Sequence, residues 1–535
     1  MGSLVAANLT YAHPGGDPLF TGVSFRLRAG QHAGLVGVNG VGKSTLLRCL
    51  TGELQLEEGD VDLGGRWMAM PQDVGVGEDA RTVHELLLDL APHALRAAGH
   101  AMLEAERQLD AGVDAAAAGM RLGEAIGDWS ELGGYELQGQ WDAACRRIVG
   151  VGFDELAGRF SDTLSGGERK RLVLELLFSS DAGLLLLDEP DNFLDIPAKR
   201  ALEQRVRSSP KTVLMISHDR ELLSNAVDTI ITLEGSGAWI HGGSYASYPE
   251  ARDARQQRLG DALQRWNDEE RRLRDYVRLL KERARYAPDF AKKADAAETR
   301  WKRFVDAGPP PAPVVDQAIK VRLRGGDSAR RVVDLRALAL PGLMRALTDE
   351  VHFGERVGLI GPNGTGKSHL IRLLAGEDVE HTGALVQGPR VSAGLFTQLN
   401  VRPAHARRTV LDIVRVHVGN DQAAMQALAR YRLVDAAMQV HETLSGGQKA
   451  RLEILGLELE GHNLLLLDEP TDNLDPDSAE ALERALDAFE GTVVAVSHDR
   501  AFLRRLDRFW MLQRDGHVAP LRDPEAALAA LESAT

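Results

Sequence analysis

The sequence predicts an α/β protein made of two copies of one domain joined by a helical hairpin. Three observations lead there. Five blocks recur in the same order about 300 residues apart: "GLVGVNGVGKSTLLRCLTGE", "MPQDV", "LSGGE", "LLLLDEP" and "VLMISHDRELL", then "GLIGPNGTGKSHLIRLLAGE", "FTQLN", "LSGGQ", "LLLLDEP" and "VVAVSHDRAFL". One long period of this kind means a duplicated domain and not a stacked-repeat solenoid. Within each copy, short apolar runs such as "HAGLVGV" and "TVLMIS" alternate with amphipathic stretches, the pattern of buried parallel strands joined by helices. Between the copies, residues 250–306 are dense in charge and strong helix formers, with Pro288 the single proline, and read as two long helices meeting in a turn between about Leu280 and Phe290. "GPPPAPVV" then breaks the second helix.

The expected boundaries are 1–249 for the first domain, 250–308 for the hairpin and 309–535 for the second domain. The copies differ in one length. About 120 residues separate Lys43 from Ser165, but only about 80 separate Lys367 from Ser445. The surplus falls near 88–150, and "HALRAAGHAMLEAERQLD" within it predicts a helical arm inserted in the first domain alone.

Composition narrows the class. Hydrophobic residues make up 44% and charged residues 26%, ordinary values for a folded globular chain. Cys49 and Cys145 are far apart and lack metal-ligand spacing, so neither a disulfide framework nor a zinc site is expected. The N-terminus lacks a secretory pattern, and no apolar run reaches the ~20 residues needed to span a bilayer, so any membrane role is peripheral and a cytoplasmic location is expected. A net charge of −15 would repel nucleic acid if it were spread evenly. It is not. Between Arg271 and Arg303 stand twelve Lys or Arg against five Asp or Glu, interleaved with Tyr276, Tyr286, Phe290 and Trp301. Cations neutralise phosphates and aromatics stack on unpaired bases, so this stretch is the candidate RNA-binding element.

The chemistry lies in the repeated blocks. "GVNGVGKS" (Gly37, Asn39, Gly40, Gly42, Lys43, Ser44) and "GPNGTGKS" (Gly361, Asn363, Gly364, Gly366, Lys367, Ser368) both match G-x-x-x-x-G-K-[ST], each after an apolar strand and at the start of a helix. Glycines let backbone N–H groups converge on phosphate oxygens, and the helix N-terminus adds partial positive charge. Lys43 and Lys367 are the expected contacts to the β- and γ-phosphates of a nucleotide, and Ser44 and Ser368 to Mg²⁺. Thr45 and His369 follow. In "LLLLDEP" a buried strand ends in Asp188 or Asp468, placed to hold Mg²⁺, then Glu189 or Glu469, placed to polarise an attacking water.

These blocks, with "LSGGE" (Ser165, Gly166, Gly167), "LSGGQ" (Ser445, Gly446, Gly447), Gln72 and Gln398 after short strands, and His218 and His498 in "SHDR", together resemble ATP-binding cassette proteins. The resemblance implies two P-loop cassettes that sandwich two ATP molecules head to tail, the LSGG of each closing over the nucleotide held by the other. It implies two composite sites. Lys43, Ser44, Gln72, Asp188, Glu189 and His218 face Ser445 and Gly447; Lys367, Ser368, Gln398, Asp468, Glu469 and His498 face Ser165 and Gly167. Gln72 and Gln398 join the Mg²⁺ ligands, the histidines sense the γ-phosphate, and both glutamates being present implies ATP hydrolysis at both sites. Three departures predict unequal turnover: Tyr11, where the family stacks an aromatic on adenine, has no aromatic counterpart in "LRALALPGL"; His369 replaces Thr45; Asp191 stands where the second copy has Thr471.

Tandem cassettes, a charged hairpin and an arm in the first cassette resemble the F subfamily, whose members act on the ribosome. That likeness implies a hairpin (271–303) reaching toward tRNA, ribosomal RNA and the peptidyl-transferase centre, an arm on the stalk side, and a role as translation factor or antibiotic-resistance protein; the short turn favours translation. A single chain completes the sandwich, so a monomer suffices. The alternative is the ATP-binding subunit of a transporter with a separate membrane partner. DNA-repair cassette ATPases carry zinc-binding cysteines absent here, and the paired glutamates disfavour an inert scaffold.

Overall fold

The structure, a computed structural model, describes residues 2–71, 74, 81–112, 114–235, 237–314, 319–397, 405–472 and 474–533. It divides into two compact units, Met1–Gly242 with Gln317–Thr535, and Gly243–Asp316. The first unit holds both copies of the repeated domain. The second contains the hairpin, whose two helices span 248–306.

In the first copy the strands are β1 (Ser3–Ala12), β2 (Pro18–Leu27), β3 (His32–Val36), β4 (Glu58–Gly64), β5 (Trp67–Ala69), β6 (Leu184–Asp188), β7 (Thr212–Ile216), β8 (Thr229–Glu234) and β9 (Gly237–Gly242). Among the described residues they form an antiparallel sheet β2-β1-β4 and a six-stranded sheet β5-β6-β7-β3-β8-β9, parallel except for β9. β6 and β7 are buried at every position, as their unbroken apolar sequences require. The second copy repeats the plan with β10 (Arg331–Leu340), β11 (Met344–His352), β12 (Arg356–Ile360), β13 (Thr382–Gln387), β14 (Ala393–Phe396), β15 (Leu464–Asp468), β16 (Thr492–Val496), β17 (Arg508–Leu512) and β18 (Val518–Leu521). Its sheets are β11-β10-β13 and β14-β15-β16-β12-β17-β18.

This order has a direct consequence for chemistry. β6, β7 and β3 are neighbours, so the strand ending in Asp188, the strand before "SHDR" and the strand before the P-loop finish side by side. Asp188 and Leu35 both pair with Ile216, which sets the three carboxyl ends at one level. β15, β16 and β12 do the same in the second copy. Ligands bind beyond the carboxyl ends of such strands.

The surplus of the first copy is helical, with helices at His93–Asp110, Ala115–Glu131 and Gly134–Ile148. Trp129 and Trp141 are fully buried there with ring centroids 6.0 Å apart, and Phe153 lies 5.3 Å from Trp141. Truncating such a ring to alanine costs about 3–5 kcal/mol. The C-terminal helix Pro524–Ser533 packs on helix Ile196–Ser208 of the first copy, and Ile196 is buried within the second copy's core. Apolar packing therefore joins the two copies.

In the hairpin unit, helix Tyr248–Ala284 turns through a short 3₁₀ segment, Pro288–Phe290, into helix Ala291–Asp306. Leu273, Val277 and Leu280 are buried, and Val277 and Leu280 close on Ala294 and Ala297. Trp266 stacks on Phe304, and the Trp301 indole N–H donates to Glu270 Oε1 at 3.1 Å. Tyr276 and Tyr286 stay out of that seam; Tyr286 is 88% exposed.

Candidate functional site

Each P-loop is built by glycines that no other residue replaces. Gly42 and Gly366 adopt left-handed φ values of 101° and 92° at the start of helices Lys43–Leu50 and Lys367–Leu374. A Cβ on Gly37 would lie 2.4 Å from the Leu233 carbonyl oxygen, and one on Gly361 2.2 Å from that of Leu512. The loop lysines fold back into the curl. Lys43 donates to the carbonyls of Gly37 (2.8 Å) and Val38 (3.3 Å), Lys367 to those of Gly361 (2.8 Å) and Pro362 (2.9 Å). Burial pulls the Lys43 ammonium down to about 8, against the field of Glu189, Asp475 and Asp188.

Ser44 hydrogen-bonds Asp188, and Ser368 hydrogen-bonds Asp468. Asp188 Oδ1 is buried and has no hydrogen-bond partner among the described residues, a vacant acceptor suited to a cation. No cluster of three or more metal-ligating side chains occurs among the described residues. The Ser44 hydroxyl and Asp188 carboxylate are hard oxygen donors of the kind Mg²⁺ takes, one or two from protein with phosphate and water completing its octahedron.

Both glutamates after these aspartates sit in the left-handed region, Glu189 at φ 47° and Glu469 at φ 51°. A bulky residue held there stores about 1–3 kcal/mol and marks a place where side-chain direction matters more than stability. Their N–H groups anchor the turn on the adjacent strand, on Ile216 O at 2.9 Å and Val496 O at 3.0 Å. The two sites then diverge. Glu189 is half-buried, its side chain 41% exposed; its Oε2 accepts from Asn192 Nδ2 at 2.5 Å, and His218 Nε2 stands 4.0 Å from Oε1. Glu469 is 5% exposed, accepts the His498 N–H at 2.9 Å and lies 3.5 Å from His498 Nε2. Burial, with Asp472 and Asp468 nearby, pushes the Glu469 carboxyl up to about 8; burial, Asp188 and Asp191 also raise that of Glu189. Desolvation drives His218 down to about 3, and neither of its ring nitrogens has a hydrogen-bond partner among the described residues. His498 is also far below its ordinary range, for the same reason first.

The two copies meet at these groups. A cavity of about 430 Å³ is lined on one side by Asn39, Gly40, Gly42, Lys43, Ser44, Thr45, Glu189 and His218, and on the other by Ser445, Gly446, Gly447, Gln448 and Arg451. Its size suits a ligand of nucleotide scale. Ser445 caps helix Gly446–Glu460 and Ser165 caps helix Gly166–Ser179; each forms a capping box with Gln448 or Glu168. LSGG thus aims a helix N-terminus into the opposite half. At the other P-loop, Asn363 donates to the carbonyl of Phe193 in the first copy at 3.4 Å, and a Cβ on Gly167 would lie 3.8 Å from Asn363 Nδ2. Asp195 acts electrostatically on Lys367 as Asp475 does on Lys43.

Reciprocal ion pairs flank the sites. Arg500 pairs with Glu203, with Glu221 at 3.0 Å and with Asp219 at 3.6 Å; Arg220 pairs with Glu483 and with Asp499 at 3.4 Å. Each arginine follows the His-Asp of one "SHDR" and reaches the other copy. Sequence reading missed them, along with Gln448, Arg451 and Lys199.

One expected contact changes. Tyr11 is 6% exposed, stacked on Phe20 at 5.9 Å inside the core, and does not line the cavity; His13 does. Tyr11 instead meets His13 edge-on, with ring centroids 5.3 Å apart. The signal for this was the "HPGGD" turn between β1 and β2, which in the second copy shrinks to "PGL". His369 is exposed, while Thr45 lines the cavity. Gln72 and Gln398 lie outside the described residues.

The sequence profile of the family described as ABC transporter matches residues 20–192 and 344–472. An antibiotic resistance protein of Mycobacteroides abscessus is 43% identical, covering 96% of this chain and 98% of that protein. The tylosin resistance ATP-binding protein TlrC of Streptomyces fradiae is 32% identical over 94% of this chain and 95% of its own length. Among solved structures, an archaeal ribosome recycling factor, aABCE1, crystallised with the ribosomal stalk protein aP1, shares the fold with a TM-score of 0.62 at 18% identity, covering 98% of this chain and 92% of that one. Two nucleotide-binding cassettes facing each other, a helical hairpin between them in the chain and relatives spanning nearly the whole length place this protein in the ATP-binding cassette family, within its F subfamily.

Proposed function

We propose that this chain hydrolyses ATP at two composite sites to drive a cycle of binding and release on the ribosome, and that the cycle protects the ribosome from an antibiotic. The observation that carries the ribosomal reading is the hairpin. Within a chain of net charge −15, its 271–303 segment concentrates twelve cations against five anions. Tyr286 stands 88% exposed at its turn, and Lys293 lies over the Phe290 ring at 5.2 Å. Cations and free aromatic faces together suit single-stranded or looped RNA. The drug reading is supported by two relatives named for antibiotic resistance, each matched over more than nine-tenths of this chain. The short turn, which by itself favours a translation role, is compatible with protection that acts indirectly by shifting tRNA. Among the described residues no helix is long and apolar enough to cross a membrane. A monomeric, cytoplasmic factor is the corresponding proposal.

The chemistry follows from the placement of side chains. Backbone N–H groups of Gly40 and Gly42 and the Lys43 ammonium bind the β- and γ-phosphates, while the helix capped by Ser445 closes from the other half. Glu189 orients a water for in-line attack on the γ-phosphorus and accepts its proton as the bond to the bridging oxygen breaks, giving ADP and phosphate. His218, neutral and with no ring hydrogen-bond partner among the described residues, can bond the γ-phosphate. Ser44 and Asp188 would hold Mg²⁺, with Gln72 as a further ligand; when bound it neutralises charge on the phosphates. Lys367, Ser368, Asp468, Glu469, His498 and Gln398 repeat these roles opposite Ser165 and Gly167, Glu469 acting as base in its ionised form. Both halves contact each triphosphate, so ATP stabilises the closed form, and hydrolysis removes that bridge. A partner that prefers the closed form is then bound and released in step.

In the Glu189→Gln/Glu469→Gln protein, ATP should drive accumulation on ribosomes in a sedimentation assay, and expression of the unmodified protein should reduce susceptibility to at least one ribosome-targeting drug. A doubly substituted protein that stays in the supernatant with ATP would refute the ribosomal reading.

A further inference from the structure

The copies differ at two positions that face each other. Asp191 and Lys199 in the first copy correspond to Thr471 and Ala479 in the second, which lacks the lysine and carries its loop carboxylate one position on, at Asp472 in place of Asn192. Lys199 is 9% exposed, lies 3.2 Å from Asp219 and lines the Lys43 cavity together with Asp191. Its ammonium also crosses the interface, donating to the His498 carbonyl at 3.4 Å. His498 in turn donates its N–H to Glu469, and its Nε2 is 3.1 Å from Asn363 Oδ1 in the second P-loop. One continuous path of polar contacts therefore runs from the floor of the Lys43 cavity to the glutamate and P-loop of the other site. Ala479 offers no side-chain donor for the reverse path. On that side the His218 ring nitrogens have no hydrogen-bond partner among the described residues, and Glu189 is held by Asn192 instead of by the sensor backbone.

We propose that Lys199 is a positioning residue for the Lys367 site, holding the His498 segment in register with Glu469 from across the interface, so that one cassette aligns the catalytic groups of the other in a single direction. The assignment rests on the reading of the Lys367 site as hydrolytic. The simpler role for Lys199, neutralising Asp191 and Asp219, predicts a different outcome in the same experiment.

The test uses the full chain carrying Glu189→Gln, in which turnover comes from the Lys367 site. Lys199→Ala should lower kcat roughly tenfold, the scale of a sub-ångström misplacement of reacting groups, and leave KM within about twofold, because Lys199 does not touch that site's nucleotide. Lys199→Arg keeps a donor and should recover kcat to within about threefold. The Asp191→Thr/Lys199→Ala pair places the second cassette's residues at both positions and removes a buried carboxylate that lysine loss would strand; it should keep the lowered kcat. Recovery of the parent kcat in that double variant, a rise in KM in place of the fall in kcat, or an unaltered rate in Lys199→Ala would each overturn the proposal alone. Absence of ATP turnover in the Glu189→Gln parent would overturn it together with the hydrolytic reading of the Lys367 site.

Discussion

Replacing Arg500 with alanine is expected to cost about 3 kcal/mol, the lower end of what is lost when one partner of a buried ion pair is removed. The figure comes from counting what each carboxylate keeps. Arg500 is 1% exposed and faces Glu203, Asp219 and Glu221 of the first cassette. Without it, Asp219 retains Lys199 and Glu221 retains Arg504. Glu203, 8% exposed, is left with the Asn225 amide at 3.2 Å. The uncompensated charge therefore falls on one buried carboxylate. Chemical unfolding of wild type, Arg500→Ala, Glu203→Gln and the double variant closes a thermodynamic cycle. The double variant should be more stable than Arg500→Ala, with a coupling energy of about 1 kcal/mol or more. A loss in Arg500→Ala below about 1 kcal/mol, as for an exposed pair, or strictly additive effects would refute the argument.

Two further outcomes follow from the site. Because the folded-state Glu469 carboxyl is raised to about 8, the folded chain holds a proton there that the unfolded chain releases in the usual carboxylate range, so this group's contribution to stability declines as pH rises through that window toward 8. In thermal melts without nucleotide, Glu469→Gln should gain on wild type as pH rises from 5 to 8, roughly 2–4 °C in apparent Tm per kcal/mol, and a pH-independent difference would contradict this. For His13→Ala in a Glu469→Gln background, loss of a stacking face should raise KM for ATP roughly 3–10-fold with little change in kcat, measured by steady-state ATPase, while Tyr11→Phe should leave KM where it was.

Much of the architecture was legible because phosphate chemistry is locally encoded. Gly42, Lys43 and Ser44 must be adjacent for a loop to wrap a phosphate, and unbroken runs such as "LLLLD" have no solvated face to hide, so they announce central strands. The capping boxes at Ser165 and Ser445 are equally local. What escaped notice depends on register and on distance in sequence. Alternation along β1 would have turned Tyr11 toward the nucleotide, but register shifts between Ala6 and Leu9, Leu9 and Tyr11, and Tyr11 and Ala12 drop Leu9, Thr10 and Tyr11 into the interior together. That hands the cavity wall to His13. Arg220, Arg500 and Lys199 read as ordinary surface charges because their partners lie in the other half of the chain. Beyond the hairpin's helices, the Val314 N–H donates to Gln256 Oε1 at 2.8 Å, a contact between positions too distant in sequence to be read there.

The central claim, that each half clamps the nucleotide gripped by the other, is tested most directly by Ser445→Arg placed in two backgrounds and read by single-site ATPase rates. In Glu469→Gln, where the Lys43 site turns over, the arginine enters the cavity opposite Lys43 and the rate should fall about a hundredfold. In Glu189→Gln, where the Lys367 site turns over opposite Ser165, the loss should be far smaller. Loss confined to the Lys367 site, with the Lys43 site still active, would contradict the clamp.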